Sequence, residues 1–225
     1  MGLKAVLFDH DGTLVDSEGV HYQLWLEALK PYGVSISTEQ YMQIYSGMPT
    51  LDNAIDLVER FQLAVAVEDL VAKKLALAHD YLKQAAFPLM QGARAILDYF
   101  QQQPLIQQAI VTGAGAQIVQ ATVRSHSLAG YFATIVSYDD VERSKPAPDC
   151  YLLAAERLKL EPFECIAIED TEHGVAAAVA AGIACIAIPN AQSLRHDFSK
   201  AIVVVPNLKA AQTWISQQYQ LEDVN

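Results

Sequence analysis

The sequence is poor in cysteine and in basic residues, and it has no long apolar run. Its 3 cysteines, Cys150, Cys165 and Cys185, show no metal-binding spacing, which argues against a disulfide framework or structural zinc and favours a reducing compartment. Lys and Arg number 15 against 26 Asp and Glu, a net charge of -11, so the basic footprint of a nucleic-acid-binding protein is missing. No apolar stretch approaches the roughly 18 residues that span a membrane, and the N-terminal run is too short for a signal peptide. We therefore expect a cytoplasmic monomer that binds neither nucleic acid nor a membrane.

Short apolar segments, by contrast, recur along a chain that is 52% hydrophobic. Most are rich in Val and Ile without polar alternation, as is typical of strands buried on both faces. Helical patterns separate most of these segments, and strand alternating with helix predicts an α/β fold with a doubly wound, Rossmann-like parallel sheet. The predicted strands lie at 3–8, 107–112, 133–137, 164–170, 183–188 and 201–205, and the predicted helices at 92–102, 114–125, 148–159, 172–181 and 207–219.

Residues 17–86 break this alternation, because they carry helical patterns and no convincing strand. Ser37 and Gln40 have the spacing of a capping box at a helix start. We therefore expect an inserted helical cap domain at 17–86, within an α/β core domain made of residues 1–16 and 87–225.

Acidic and polar side chains follow three of the predicted strands, and a lysine lies in the loop after another. Because ligands bind beyond the carboxyl ends of strands in an open parallel sheet, we expect these groups to converge there. They are Asp9, Asp11, Thr112, Gly113, Ala114, Lys145, Glu169 and Asp170.

These residue types suit phosphoryl transfer at a divalent metal ion. Crowded carboxylates repel one another, and Mg²⁺ relieves the repulsion while it binds phosphate oxygens. One carboxylate can attack phosphorus and form an aspartyl phosphate, and a second can protonate the leaving oxygen and later deprotonate water. Lys145, the Thr112 hydroxyl and the backbone amides of Gly113 and Ala114 can hold the transferring phosphoryl group.

The stretches FDHDGTLVDSE, IVTG, SKPAPD and AIEDTEHGVAAAVAAG resemble, in order and spacing, the motifs of the haloacid dehalogenase superfamily. The chain looks like subfamily I, whose helical C1 cap follows the first motif, in the branch of β-phosphoglucomutases and small phosphatases. The resemblance implies that Asp9 is the nucleophile and a metal ligand. It makes Asp11 the general acid/base, with its backbone carbonyl also meeting the metal, and it makes Thr112 and Lys145 the phosphate holders.

The same resemblance makes Asp170 the second metal carboxylate and places Glu169 in or beside the metal shell. Two positions depart from the pattern: His10 stands where this branch usually has an apolar residue or Cys, and Gly113 where it often has Asn. We expect neither position to supply an essential side chain.

The function that these motifs favour is that of a Mg²⁺-dependent phosphatase, which hydrolyses a small phosphorylated metabolite, such as a sugar phosphate, through an aspartyl phosphate. The alternative is a phosphosugar mutase of the β-phosphoglucomutase type, which shares the first half-reaction. A mutase needs a strong cation in its cap for the distal phosphate, and Thr50 stands where β-phosphoglucomutases carry Arg. Lys73 or Lys74 could compensate in part, although solvated surface is the simpler interpretation of both. The sequence therefore favours hydrolysis.

The cap is expected to select the substrate, with Glu18, His21 and Thr50 as candidate contacts and the loop at 46–50 reaching into the site. Two other functions fit less well. Receiver-type signalling modules share an acidic cluster, a Thr and a Lys, but they are shorter and have no helical insert. A dinucleotide site after the second strand is excluded because Ile118 occupies the third glycine position of GxGxxG.

Overall fold

The computed structural model describes residues 2–46, 48 and 50–221. The chain divides into two units, a core unit of Met1–Asp16 with Pro88–Asn225 and a cap unit of Ser17–Phe87. None of the described helices is both long and apolar enough to cross a membrane.

The cap unit is helical, and none of its described residues lies in a strand. The predicted capping box is present, because Ser37 accepts from the Gln40 backbone while the Gln40 side chain accepts from the Ser37 backbone. Trp25, Tyr41 and Leu57 are buried in the hydrophobic core of the cap. Its helices are α1 (Ser17–Leu29), α2 (Thr38–Gln40), α3 (Thr50–Phe61) and α4 (Val67–Gln84), with a π-helical turn at Tyr41–Tyr45.

The core unit contains a six-stranded parallel sheet in the order β3-β2-β1-β4-β5-β6, which confirms the predicted fold class. All residues of β1 and β4 are buried, which is why these segments carry no polar alternation. The last predicted strand, 201–205, is shorter than expected. The strands are β1 (Ala5–Phe8), β2 (Gln107–Val111), β3 (Thr134–Val136), β4 (Cys165–Glu169), β5 (Ala184–Ala187) and β6 (Val203–Val204).

The core helices begin and end within two residues of their predicted bounds. Two of them start at side-chain caps that the sequence supplies, since Thr171 accepts from the Gly174 amide and Asn207 accepts from the Ala210 amide. These helices are α5 (Ala93–Gln101), α6 (Ala116–Ser125), α7 (Asp149–Leu158), α8 (Glu172–Ala180) and α9 (Leu208–Tyr219).

Candidate active site

The carboxyl ends of β1, β2 and β4 bring the predicted polar residues together in the core unit. Phe8, the last residue of β1, is in register with Ile110 of β2 and with Ile168 of β4. The Asp9 amide then donates to the Ile168 carbonyl at 3.0 Å. Because the strand order reverses at β1, this edge is the topological switch point at which open α/β sheets bind ligands. A cleft of about 280 Å³ lies here, lined by Asp9, Asp11, Thr112, Gly113, Ala114, Asp170 and Thr171.

Three buried carboxylates form a compact oxygen cluster beside this cleft. One oxygen each of Asp9, Glu169 and Asp170 lies within 4.8 Å of the others. Burial raises the pKa of Asp170 well above its usual range, and the charges of Asp9 and Glu169 raise it further. Glu169 Oε2 is buried and has no hydrogen-bond partner among the described residues. An all-oxygen donor set with an unpartnered carboxylate oxygen fits a hard divalent cation such as Mg²⁺.

Two glycines make room for these carboxylates. A Cβ atom on Gly12 would lie 2.2 Å from Asp170 Oδ2, and one on Gly174 would lie 1.9 Å from Glu169 Oε2. Gly12 also has a φ of 79°, which glycine adopts at no steric cost. Glycine is therefore required at both positions by the acidic cluster.

Lys145 links two carboxylates of the cluster. Its Nζ donates to Asp9 Oδ1 at 2.5 Å, to Glu169 Oε1 at 2.7 Å and to the Val111 carbonyl at 2.8 Å. Burial alone would lower the pKa of Lys145, but the charges of Asp9 and Glu169 outweigh burial and raise it. Burial raises the pKa of Glu169 to about 7, against the opposing charge of Lys145. Lys145 is therefore held as a cation beside Asp9, with all three of its protons engaged.

The residues expected to hold phosphate, Thr112, Gly113 and Ala114, line the cleft together, and one of their amides already donates to a side chain. Thr112 is buried, and its Oγ1 accepts from the Ala114 amide at 2.9 Å. Ala114 can therefore donate to a phosphoryl oxygen only by sharing its proton or after Thr112 turns away. A Cβ on Gly113 would meet Ser144 Oγ at 3.5 Å, an ordinary contact. Glycine at position 113, where the motif often has Asn, is therefore not needed to avoid a clash of the Cβ atom.

Three side chains that the sequence analysis did not assign to the site contact its carboxylates. Asn190 Nδ2 donates to Asp170 Oδ2 at 2.7 Å, and the Tyr151 hydroxyl donates to Glu169 Oε1 at 2.6 Å. His10 is fully buried, and its Nδ1 lies 3.1 Å from Asp11 Oδ2. Asn190 lies shortly after the end of β5. The rule that ligands bind beyond the carboxyl ends of parallel strands could therefore have found it. Tyr151 lies within a helix and carries no comparable signal.

The cap unit contains a pocket of its own, about 330 Å³ in volume. The three cap residues that the sequence offered as substrate contacts, Glu18, His21 and Thr50, all line this pocket. Glu18 accepts from the Tyr41 hydroxyl at 2.7 Å and from the Ser46 hydroxyl at 3.0 Å. Of the predicted loop 46–50, Gly47 and Pro49 lie outside the described residues. The lining residues are Glu18, His21, Trp25, Tyr41, Met48, Thr50, Asn53 and Lys74.

Lys74 is the cation of this pocket. Only 5% of it is exposed, so its interpretation as solvated surface is wrong. Its Nζ lies 3.3 Å from His21 Nδ1 and 3.4 Å from Thr50 Oγ1. Burial lowers the pKa of Lys74, and the charge of Glu18 opposes that change. A buried ammonium group is costly unless polar or charged groups compensate it, and His21, Thr50 and Glu18 supply such groups here.

Comparison with known proteins decides the family. A family model described as haloacid dehalogenase-like hydrolase matches residues 6–188. The chain belongs to the haloacid dehalogenase-like hydrolases. Membership in this family confirms the resemblance seen in the motifs. The acidic residues of those motifs and Lys145 lie together at one edge of the sheet.

Relatives within the haloacid dehalogenase-like hydrolases include named phosphatases. Fructose-1-phosphate phosphatase YqaB of Escherichia coli K12 is 32% identical over 178 residues, covering 79% of this chain and 92% of that protein. Hexitol phosphatase A of the same organism is 32% identical over 191 residues, covering 84% of each chain. A crystal structure of a putative beta-phosphoglucomutase from Thermotoga maritima has the same fold, with a TM-score of 0.79 at 23% identity over 98% of this chain and 100% of the other.

Proposed function

We propose that this phosphoric monoester hydrolase removes the phosphate of a small phosphorylated sugar with the aid of Mg²⁺. The observation that carries the proposal is the oxygen cluster of Asp9, Glu169 and Asp170, with Lys145 bonded to two of its members. This arrangement can hold a cation and a reactive carboxylate against the same phosphoryl group. The similarity to fructose-1-phosphate phosphatase and hexitol phosphatase A supports a sugar or a related polyol as the substrate.

The first half-reaction transfers the phosphoryl group to Asp9. A carboxylate oxygen of Asp9 attacks phosphorus, the bond between phosphorus and the sugar oxygen breaks, and Asp11 gives its proton to that oxygen. Lys145 fixes the Asp9 carboxylate through its 2.5 Å contact. The Thr112 hydroxyl and the Gly113 amide hold the phosphoryl oxygens. Asp9, Asp170 and the Asp11 carbonyl would hold Mg²⁺, which would supply positive charge to offset that of the phosphate.

The second half-reaction regenerates the carboxylate. Water attacks the phosphorus of the aspartyl phosphate, the bond between phosphorus and Asp9 breaks, and Asp11 takes the proton of the water. Inorganic phosphate leaves, and Asp9 and Asp11 return to their starting forms. Asp11 lines the cleft, where it can reach both the leaving oxygen and the water.

The polar groups of the cap pocket are proposed to recognise the sugar. Lys74, His21 and Glu18 can donate to and accept from sugar hydroxyls. Lys74→Met should raise KM for the preferred sugar phosphate by about 10-fold or more, as the loss of a hydrogen bond to a charged group predicts. Lys73→Met, one residue earlier on the same helix, is the matched control. Equal KM values for the two variants would remove Lys74 from substrate recognition.

A phosphosugar mutase is the second candidate, and one observation favours it. Lys74 Nζ lies 3.4 Å from Thr50 Oγ1, so a cation is present beside the position at which β-phosphoglucomutases carry Arg. Phosphorus NMR with β-glucose 1-phosphate, a trace of the bisphosphate and Mg²⁺ separates the two activities. We expect inorganic phosphate as the main product, and clean conversion to glucose 6-phosphate would establish the mutase instead.

A panel of sugar and polyol phosphates, assayed by phosphate release with Mg²⁺, tests the proposed activity. Asp9→Asn should abolish turnover, because an amide neither attacks phosphorus nor neutralises a metal ion. Glu142→Gln, which makes the same chemical change at an exposed position of the core unit, should leave turnover unchanged. The proposal fails if no phosphorylated sugar is hydrolysed, or if Asp9→Asn works at nearly the wild-type rate.

A further inference from the structure

The residue between the two motif aspartates, His10, is completely buried, and both of its ring nitrogens are engaged. Nδ1 lies 3.1 Å from Asp11 Oδ2, and Nε2 lies 3.0 Å from Thr122 Oγ1. A buried imidazole with a partner at each nitrogen has one orientation in its cavity, because a flip of the ring would set carbon atoms against both polar partners.

Thr122 contacts Nε2 from α6. Its Oγ1 lies 3.0 Å from Nε2 and 3.3 Å from the carbonyl of Ile118, one turn earlier. When the hydroxyl proton serves the shorter of these contacts, Nδ1 carries the ring proton and donates to Asp11 Oδ2 at 3.1 Å. Thr122 is also fully buried. The imidazole is thus anchored to α6, a helix of the core unit, and Nδ1 is the atom that remains for Asp11.

Asp11 has the opposite exposure. Its side chain is 38% exposed whereas that of His10 is 0% exposed, and Asp11 lines the cleft at the strand ends. A half-exposed aspartate without an anchor samples several rotamers, and only some of them direct a carboxyl oxygen at the leaving group. The His10 contact holds Oδ2 toward the buried side, beside the cleft that Asp11 lines.

We propose that His10 is a positioning residue, which holds the Asp11 carboxyl in the orientation needed to protonate the leaving oxygen, and that Thr122 anchors His10 for this purpose. The inference rests on the proposed function of Asp11 as the general acid. It gives a role to the position at which this chain departs from its family's usual apolar residue or Cys. Such an anchor matters because a misplacement of about 1 Å costs up to about 100-fold in rate.

A comparison of leaving groups separates positioning of the acid from a merely structural role. Alkyl phosphates, including sugar phosphates, need a proton on the leaving oxygen, whereas 4-nitrophenolate leaves without one. The value of kcat/KM reports the steps up to phosphoryl transfer. A loss of acid positioning therefore lowers kcat/KM for the sugar phosphate and spares 4-nitrophenyl phosphate, whereas a distorted site lowers both.

His10→Phe keeps the volume of the ring and removes both nitrogen contacts. We expect kcat/KM to fall by about 10-fold or more for the best sugar phosphate of the panel, and by less than about 3-fold for 4-nitrophenyl phosphate. The loss should not exceed the contribution of a whole general acid, which is about 10²- to 10⁴-fold. His10→Asn keeps a polar atom where Nδ1 lies and should recover part of the loss. Equal losses for the two substrates, or no loss, would overturn the proposal.

Thr122→Val tests the anchor with a side chain of nearly the same shape, so it remains informative if His10→Phe fails to fold. It should reproduce the selective loss in weaker form, at about 3-fold or more. Thr213→Val is the matched control, because the Thr213 hydroxyl also contacts a carbonyl one helical turn earlier, at 3.0 Å, but this residue is exposed on α9. A Thr122→Val enzyme indistinguishable from Thr213→Val would contradict the anchoring role.

Asp11→Asn distinguishes failure of this inference from failure of the proposed function. If Asp11→Asn loses turnover of the sugar phosphate and His10→Phe does not, the acid is correctly assigned and His10 does not position it. If Asp11→Asn retains sugar phosphate turnover, the proposed role of Asp11 fails, and the role of His10 fails with it.

Discussion

Replacement of Gly174 by Ala measures how closely α8 packs on Glu169. The new Cβ would lie 1.9 Å from Oε2 and 2.0 Å from Cδ of Glu169, whereas ordinary contacts begin at 3.4 Å. The carboxyl group or the helix must therefore move by more than an ångström. Glu169 is only 1% exposed, so no solvent-filled space is available to it.

The energetic cost follows from the contacts that a displaced carboxylate gives up. Glu169 Oε1 accepts from Lys145 at 2.7 Å and from Tyr151 at 2.6 Å, and hydrogen bonds to charged groups contribute about 1.5–3 kcal/mol each. Alanine regains at most about 1 kcal/mol through its helix propensity. We expect Gly174→Ala to lower the free energy of unfolding by about 2–4 kcal/mol, with a fall in Tm of about 5–15 °C for a chain of this size.

Urea unfolding followed by circular dichroism tests this value, with Gly113→Ala as the control because its Cβ would make only an ordinary 3.5 Å contact. Glu169→Asp shortens the obstructing side chain. The double variant Gly174→Ala/Glu169→Asp should therefore be more stable than the sum of the single changes predicts, by about 1 kcal/mol or more. Equal stability of Gly174→Ala and Gly113→Ala, or strict additivity in the double variant, would refute the packing argument.

Three further predictions concern the metal, the lysine and one ion pair. Phosphate release should stop with EDTA and return with Mg²⁺ but poorly with Ca²⁺, which takes more ligands at longer distances; full activity in metal-free buffer would contradict the cluster's role. Lys145→Met should abolish turnover and lower unfolding stability by about 3–5 kcal/mol, because it leaves buried carboxylates unpaired; chemical denaturation and phosphate release check both. Burial raises the pKa of Asp140, but hydrogen bonds from Ser137 and Arg157 prevail and lower it to about 2. The ionised Asp140 carboxylate therefore adds about 1 kcal/mol to the free energy of unfolding, after a discount for solvent screening. This stabilisation is complete above pH about 4 and disappears as the pH falls through about 2. The stability difference between wild type and Asp140→Asn should therefore shrink from pH 7 to pH 3, and an unchanged difference would count against the depressed pKa.

Much of the core fold could be predicted because its strands are buried on both faces. A strand such as β4, with every residue buried, must be apolar throughout, and this makes it visible without any knowledge of its neighbours. Helix ends were also predictable where a local side chain caps them, as Ser37 does. Strand β6 was overestimated, since only two residues of its apolar run pair with β5, and pairing depends on a neighbour that the run itself does not specify.

The candidate site was predictable for residues at strand ends and for Lys145 in the loop after β3. Topology alone places Asp9, Thr112 and Asp170 at one edge, whatever the details of packing. Two partners of the acidic cluster come from elsewhere in the chain: Tyr151, which donates to Glu169 from within a helix, and Asn190, which donates to Asp170 from the loop after β5. Their contacts depend on how helices and loops pack on the sheet, which no local pattern records.

By itself the sequence determined the order of strands and helices, the family, and the carboxylates that follow the strands, because each of these is written in local composition and spacing. Only the tertiary structure decided which polar side chains lose their water. Lys74 is buried in the cap pocket rather than exposed on the surface, and His10 is buried in the core unit with Nδ1 in contact with Asp11. Burial depends on what the rest of the chain packs against a side chain, and the identity of that side chain does not determine it.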